Sequence, residues 1–219
     1  MGPIGIFGGT FDPIHFGHLR TAFELLDKLA LSEIRFIPCG VQPLRERPAT
    51  AGDLRLAMVE AAVAEERRFS VDPRELAREG PSYSVDTLEA VRSENPTHPL
   101  CLILGMDSFL SLPHWHRWQE LMAFAHLVVA HRPGWRVPES GTLGELVRDC
   151  GTDRVEDLHE ADSGRLYVTA CTQLEISASQ LRNSIRAGLD PRYLLPESVR
   201  EIIVAAKCYL GEAREDSDV

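Results

Sequence analysis

Long apolar runs, surplus positive charge and paired cysteines are missing from this sequence, and each absence narrows the field. No apolar stretch approaches the roughly 18 residues that a membrane-spanning helix needs, so neither a span nor a membrane partner is expected. Lys and Arg number 23 against 33 Asp and Glu, a formal net charge of −10. A surface for nucleic acid is therefore not expected, although phosphate sites are local and stay open to the chain. The five cysteines, Cys39, Cys101, Cys150, Cys171 and Cys208, are odd in number, scattered and never spaced C-x-x-C. That pattern suits reduced thiols in the cytoplasm, not a disulfide frame or a structural zinc site. The N-terminal residues lack a basic segment followed by a cleavable apolar stretch, and no secretory leader is expected. A G-x-G-x-x-G turn is also missing, as is any Ser-His-Asp or Cys-His constellation. Those two absences argue against a dinucleotide-binding dehydrogenase and against covalent catalysis.

What is present is an ordinary globular composition, 44% hydrophobic and 26% charged over 219 residues. This is enough for one sizeable domain, 1–219, whose last residues, 212–219, form an acidic tail. Short apolar runs alternate with helical periodicity. The pattern predicts strands near 4–7, 34–38, 69–71, 100–104, 127–130 and 166–169, and helices near 16–29, 53–65, 84–94, 115–124, 177–187 and 196–209. The fold class is therefore α/β, with a doubly wound, mainly parallel, Rossmann-like sheet. Asp53 reads as an N-cap. The last helix follows Pro196 and is expected to bury Val199, Ile202, Ile203, Ala206 and Leu210. The polar stretch 133–164 reads as an elaborated loop with one helix near 143–148. In such sheets ligands bind beyond the carboxyl ends of the strands, where strand order reverses.

The run Gly8-Gly9-Thr10-Phe11-Asp12-Pro13-Ile14-His15-Phe16-Gly17-His18-Leu19 lies at one such end, between the first strand and the first helix. Gly8 and Gly9 carry no Cβ, so backbone N–H groups can approach phosphate oxygens closely. The helix start adds unpaired N–H donors and positive dipole. His15 and His18 are three apart and share a face of the first turn. Each offers an N–H donor, and protonation beside a polyanion would add charge. The pattern describes a pocket for a nucleoside triphosphate. A second run, Ile176-Ser177-Ala178-Ser179-Gln180-Leu181-Arg182, places an N-cap serine, a first-turn serine and a forked guanidinium at another helix start, again an anion site. Arg55 reads equally as a lesser phosphate ligand or a solvated helix charge. His114 and His116 have no third metal ligand at fitting spacing, and no metal site is expected.

The first run resembles the (H/T)xGH motif of the nucleotidyltransferase superfamily, and its full form, GGTFDPxHxGHL, resembles the bacterial nicotinate-nucleotide adenylyltransferases. The second run resembles the IS(S/A)(T/S)xIR motif of the same superfamily, with Leu181 in place of Ile. Pro81-Ser82-Tyr83-Ser84-Val85-Asp86-Thr87-Leu88 resembles the family's PSYTxDTL block, and Leu112-Pro113-His114-Trp115-His116-Arg117-Trp118 its LPxWxxW block. The resemblance covers most of the chain and is weakest at 135–164.

The resemblance implies adenylyl transfer from ATP to nicotinate mononucleotide, giving deamido-NAD and pyrophosphate, with Mg²⁺ carried in on ATP. It implies that Gly8, Gly9, Thr10, Phe11, His15 and His18 hold ATP together with Gly105, Asp107 and Arg132, and that Ser177, Ser179 and Arg182 hold its β- and γ-phosphates. It also implies that Trp115 stacks on the pyridine ring while Tyr83, Ser84 and His116 frame the carboxylate. Arg45 stands where the family carries a basic residue in P-P-H-K/R, and serves both phosphates, but the histidine before it is Leu44 here. Ordinary core packing accounts for Trp118 at least as well, and a plain strand-end turn for Asp107. A relative using nicotinamide mononucleotide, or a non-catalytic nucleotide-binding module, is the competing reading. Homo-oligomerisation is left open.

Overall fold

The computed structural model describes residues 2–41, 47–132, 134, 137–172 and 174–210. Seven strands form one sheet: β1 Ile4–Gly9, β2 Glu33–Pro38, β3 Phe69–Val71, β4 Leu100–Gly105, β5 His126–His131, β6 Gly151–Thr152 and β7 Leu166–Ala170, in the order β3-β2-β1-β4-β5-β7-β6. Every pairing is parallel. The central strands β4 and β5 are near-continuous apolar runs, as a sheet covered on both faces requires.

Side chains alternate between the two faces with the period of two that extended backbone imposes. Cys101 and Ile103 of β4 enter one core, and Leu100, Leu102 and Leu104 the other. The first core takes α1 Phe16–Lys28, α2 Gly52–Val63, α9 Ala178–Arg186 and α10 Glu197–Ala205. The second takes α4 Ser84–Glu94, α5 Met106–Ser111, α6 Leu121–Phe124 and α7 Gly141–Cys150. Two short helices, α3 Arg74–Ala77 and α8 Asp157–Glu160, complete the set. Gly5 allows the close packing beneath α1: a Cβ there would meet Ile34 Cγ1 at 2.9 Å and Ile103 Cδ1 at 3.0 Å.

The chain leaves β1 toward β2 on one side, while β4 pairs with β1 on the other. Strand order therefore reverses at β1, and the crevice between the carboxyl ends of β1 and β4 is where this architecture receives ligands.

Three predicted elements differ. The helix expected at 115–124 is instead two 3₁₀ turns, Leu112–His114 and Trp118–Glu120, followed by α6. Pro113 favours the first turn, and Arg117 adopts a left-handed φ of 50°, which interrupts any continuous helix. The last helix stops at Ala205; Lys207 and Tyr209 have φ of 52° and 63°. Cys208 and Tyr209 are buried there, while Ala206 and Leu210 are exposed. The N-cap of α2 is Ala51, with Asp53 inside the first turn. The strand β6 had no sequence signal; it is a two-residue edge piece.

Gly40, just after β2, is a tight point where a Cβ would lie 2.3 Å from the Glu75 carbonyl oxygen and 2.7 Å from Ser82 Oγ. Gly40→Ala is expected to destabilise the chain by about 1–3 kcal/mol. A urea midpoint that falls at unchanged m-value would bear this out, and an unmoved midpoint would not.

Candidate active site

His15 is the N-cap of α1, with extended backbone (φ −149°, ψ 171°). Its Nδ1 accepts the Gly17 N–H at 3.1 Å, and the His18 Nδ1 accepts the His15 N–H at 3.3 Å. This is a capping box built from two histidines instead of Ser/Thr and Glu/Gln. With Nδ1 accepting, the neutral ring carries its proton on Nε2, which leaves one N–H donor on each imidazole. The rings stack with centroids 3.8 Å apart at 28°. Gly17 is required here, because a Cβ would strike the His15 ring at 2.9 Å. Behind them the Phe11 ring meets His18 edge-on at 5.2 Å, and Phe7 meets it at 6.3 Å.

This apolar setting decides the charge state. Burial lowers the His15 pKa to about 4, and burial together with the neighbouring His15 holds His18 well below 6.5. Without ligand the pair is neutral at pH 7, so the expected benefit of protonation is not present in the free protein. The unfolded chain takes up the His15 proton first. His15 thus contributes stability that is complete above about pH 6.5 and is lost as pH falls toward about 4. His15→Asn keeps the cap acceptor and is expected to flatten that decline in urea melts; a decline as steep as wild type would refute it.

The floor of the crevice is bare backbone. A Cβ at Gly8, on the carboxyl end of β1, or at Gly105, on that of β4, would meet no atom within 4 Å. Ladder pairing of β1 with β4 ends at Ile6 and Leu102, short of both glycines. Gly105 is also the N-cap of α5, whose first turn holds the exposed Asp107. Gly9 has a different reason to be glycine, since a Cβ would press on the Phe11 ring at 2.8 Å. Phe11 itself is buried and has a left-handed φ of 48°. Among the described residues, no three His, Cys, Asp or Glu side chains converge as a metal cluster.

The second run comes to the same place. Ser177 caps α9, accepting the Gln180 N–H at 3.2 Å. Arg182 donates through Nη2 to Ser179 Oγ at 3.2 Å and through Nη1 to the Asp12 carbonyl at 2.7 Å. The Ile176 carbonyl oxygen lies 3.5 Å from where a Gly17 Cβ would be. Two helix N-termini, α1 and α9, therefore meet at one mouth. Arg132, just past β5, donates to the Glu175 carboxylate at 2.5 Å, at the approach to α9.

On the other side of β4, α4 begins at Ser84 with Tyr83 as its N-cap. The Tyr83 and His116 rings lie 4.3 Å apart at 34°, and Trp115 Nε1 donates to Ser111 Oγ at 3.3 Å. The two blocks that the sequence marked for a pyridine ring are thus in contact with each other. Arg45 and Leu44 lie outside the described residues.

The Cytidylyltransferase-like family profile matches residues 6–184. A protein of Aeromonas hydrophila named "Probable nicotinate-nucleotide adenylyltransferase" is 50% identical over 201 residues, 92% of this chain and 94% of that one. One of the same name from Methylococcus capsulatus is 44% identical over 207 residues, 94% of this chain and 99% of that one. The chain belongs to the nicotinate-nucleotide adenylyltransferase family. It is a nucleotidyltransferase. The solved structure of Plasmodium falciparum nicotinic acid mononucleotide adenylyltransferase complexed with NaAD shares the fold, with a TM-score of 0.70 at 17% identity over 95% of this chain and 98% of that one.

Of three residues that hold this nicotinate-nucleotide adenylyltransferase site in shape, sequence reasoning did not mark Asp12 and Tyr209 and read Arg55 in other roles. Asp12 is almost fully buried: its Oδ2 accepts the Ala49 N–H at 2.6 Å and its Oδ1 accepts the Tyr209 hydroxyl at 2.7 Å. Burial and the adjacent carboxylate push the Tyr209 phenol up, keeping it a donor. Arg55 is neither a solvated charge nor an exposed phosphate ligand; it is 3% exposed and donates to the Thr10 and Thr50 carbonyls. Asp12 stands inside a motif that was read for its glycines and histidines. Tyr209 lies 197 residues away with no local signal.

Proposed function

We propose that this chain carries out the reaction for which its relatives are named, transferring the adenylyl group of ATP to nicotinate mononucleotide as a single-domain cytoplasmic enzyme of NAD biosynthesis. The hydrogen bond from Arg182 to the Asp12 carbonyl carries the reading, because it puts both phosphate-type runs at one crevice. A 5′-phosphate oxygen of nicotinate mononucleotide attacks the α-phosphorus of ATP in line. The bond from that phosphorus to the bridging oxygen breaks, and its electron pair leaves with pyrophosphate. The nucleophile is already anionic at pH 7, so no strong base is needed, and the work is positioning and charge stabilisation.

The Nε2–H donors of His15 and His18 suit the α-phosphate, with Arg45 serving both phosphates. Ser177, Ser179, Arg182 and the α9 N-terminus suit the departing pyrophosphate. The open backbone at Gly8 and Gly105 gives room for the triphosphate and adenosine, the turn of Gly9, Thr10 and Phe11 adds its backbone, and Asp107 and Arg132 stand at the rim. Mg²⁺ arrives as part of the substrate, held by phosphates and water. Trp115 offers an indole face to the pyridine, and N–H donors at the start of α4 and near His116 favour a carboxylate over an amide. Five free thiols agree with a reducing compartment.

Pyrophosphate release from ATP with nicotinate mononucleotide, compared with the nicotinamide form, tests the reading. Higher kcat/KM on the acid supports it; equal or reversed preference overturns the carboxylate assignment. His18→Ala is expected to lower kcat on the order of 10²–10³-fold with the fold intact, and near-normal turnover would remove His18 from the transition state.

A further inference from the structure

Arg55 is a buried cation whose hydrogen bonds go to two carbonyl oxygens and the Cys39 sulfur. Its Nη1 donates to the Thr10 carbonyl at 2.7 Å, its Nε to the Thr50 carbonyl at 3.3 Å, and Nη1 also lies 4.0 Å from Cys39 Sγ. The residue comes from the first turn of α2, which packs in the core beneath the sheet, while Thr10 belongs to the turn after β1. One residue earlier, the Gly9 carbonyl accepts the Cys39 N–H at 2.9 Å. Two successive carbonyls of the Gly8–Phe11 turn are thus drawn toward the β2 side. In a planar trans peptide the C=O and the following N–H point in opposite directions. Holding the Gly9 and Thr10 oxygens inward therefore turns the Thr10 and Phe11 amides away from the interior. The same grip accounts for Phe11, a bulky residue held at φ 48°, a conformation that persists only where its surroundings over-determine it.

We propose that Arg55 is a positioning residue for adenylyl transfer. It does not touch the nucleotide. It fixes the Thr10–Phe11 peptide so that its amide is presented to the ATP phosphates before they arrive, and it links that turn to Thr50, close to the Ala49 amide that Asp12 holds. Its planar fork reaches the Thr10 and Thr50 carbonyls together. An ammonium at the same place keeps the charge but cannot span both oxygens from one atom in the same geometry. The proposal rests on the assignment of the Gly8–Phe11 turn to the ATP phosphates.

The test compares Arg55→Lys with Met58→Ala, a cavity variant in the same helix at a fully buried core position. The readouts are kcat and KM for both substrates and the Phe11 amide ¹⁵N shift on adding Mg-ATP alone. Arg55→Lys is expected to lower kcat about 10- to 100-fold, in line with the cost of misplacing reacting groups, and to change the Phe11 shift response. Met58→Ala is expected to lower the melting temperature but to keep wild-type kcat and Phe11 response in its folded fraction. If Arg55→Lys does not fold, Arg55→Gln, which retains one donor, gives the same comparison. Wild-type kcat and Phe11 response in the Arg55 variant overturn the proposal, as does an equal loss in Met58→Ala, which would mark general loosening of α2. A wild-type Phe11 amide that ignores Mg-ATP overturns the phosphate assignment itself, and Arg55 with it.

Discussion

The hydrogen bond from the Arg182 guanidinium to the Asp12 carbonyl spans 170 residues of sequence, and the organisation of the site depends on it. Each phosphate-type run alone is only a capped helix start. Joined, they aim two helix N-termini, two imidazole donors and a guanidinium at one volume above the ends of β1 and β4. A triphosphate needs several donors spread over nearly a nanometre, and no single helix N-terminus spans that distance. The reversal of strand order at β1 supplies the missing geometry, since it leaves the carboxyl ends of two adjacent strands uncovered by their own connections.

The neutral histidine pair follows from the same packing. Two protonated imidazoles stacked at 3.8 Å over a cluster of phenylalanine rings would be costly, and the low pKa values express that cost. Neutrality fixes the tautomer instead. Each Nδ1 is occupied by a backbone N–H, so each Nε2 carries a hydrogen without a proton having to be recruited. Under the proposed function such donors are set before the phosphate arrives, which is the condition under which electrostatic stabilisation adds most to a rate.

Much of this was legible in the sequence because it is local. The glycine turn, the His15 and His18 spacing, the Ser177 cap and the apolar runs of β4 and β5 are short-range patterns, and in the folded chain they form a strand end, two helix caps and the central strands. Two of the misreadings are long-range and one is local. Arg55 sits at a helix start with its charge unremarkable in sequence; only the three-dimensional path of the Thr10 turn makes it a buried strut. The tail after α10 reads as more helix, yet Tyr209 leaves the helical path and its hydroxyl reaches the Asp12 carboxylate. The 115–124 segment carries helical periodicity, but Arg117 in the left-handed region pairs with Glu120 and Asp86 and ends it.

The long-range contacts share one target. Ala49, Arg182 and Tyr209 all converge on Asp12, and Arg55 holds the residue two positions before it. The short loop between β1 and α1 is therefore gripped from several distant parts of the chain. An isolated loop would sample many conformations, and ordering it when substrate binds would subtract from affinity. Here folding itself orders the loop. The same grips explain how a bulky residue such as Phe11 can be kept at a positive φ: the strain is local, and the bonds that oppose it are anchored in β2, α2, α9 and the chain after α10. Under the proposed function, a site assembled this way ties phosphate recognition to the completeness of the fold, from its first strand to the residues beyond its last helix.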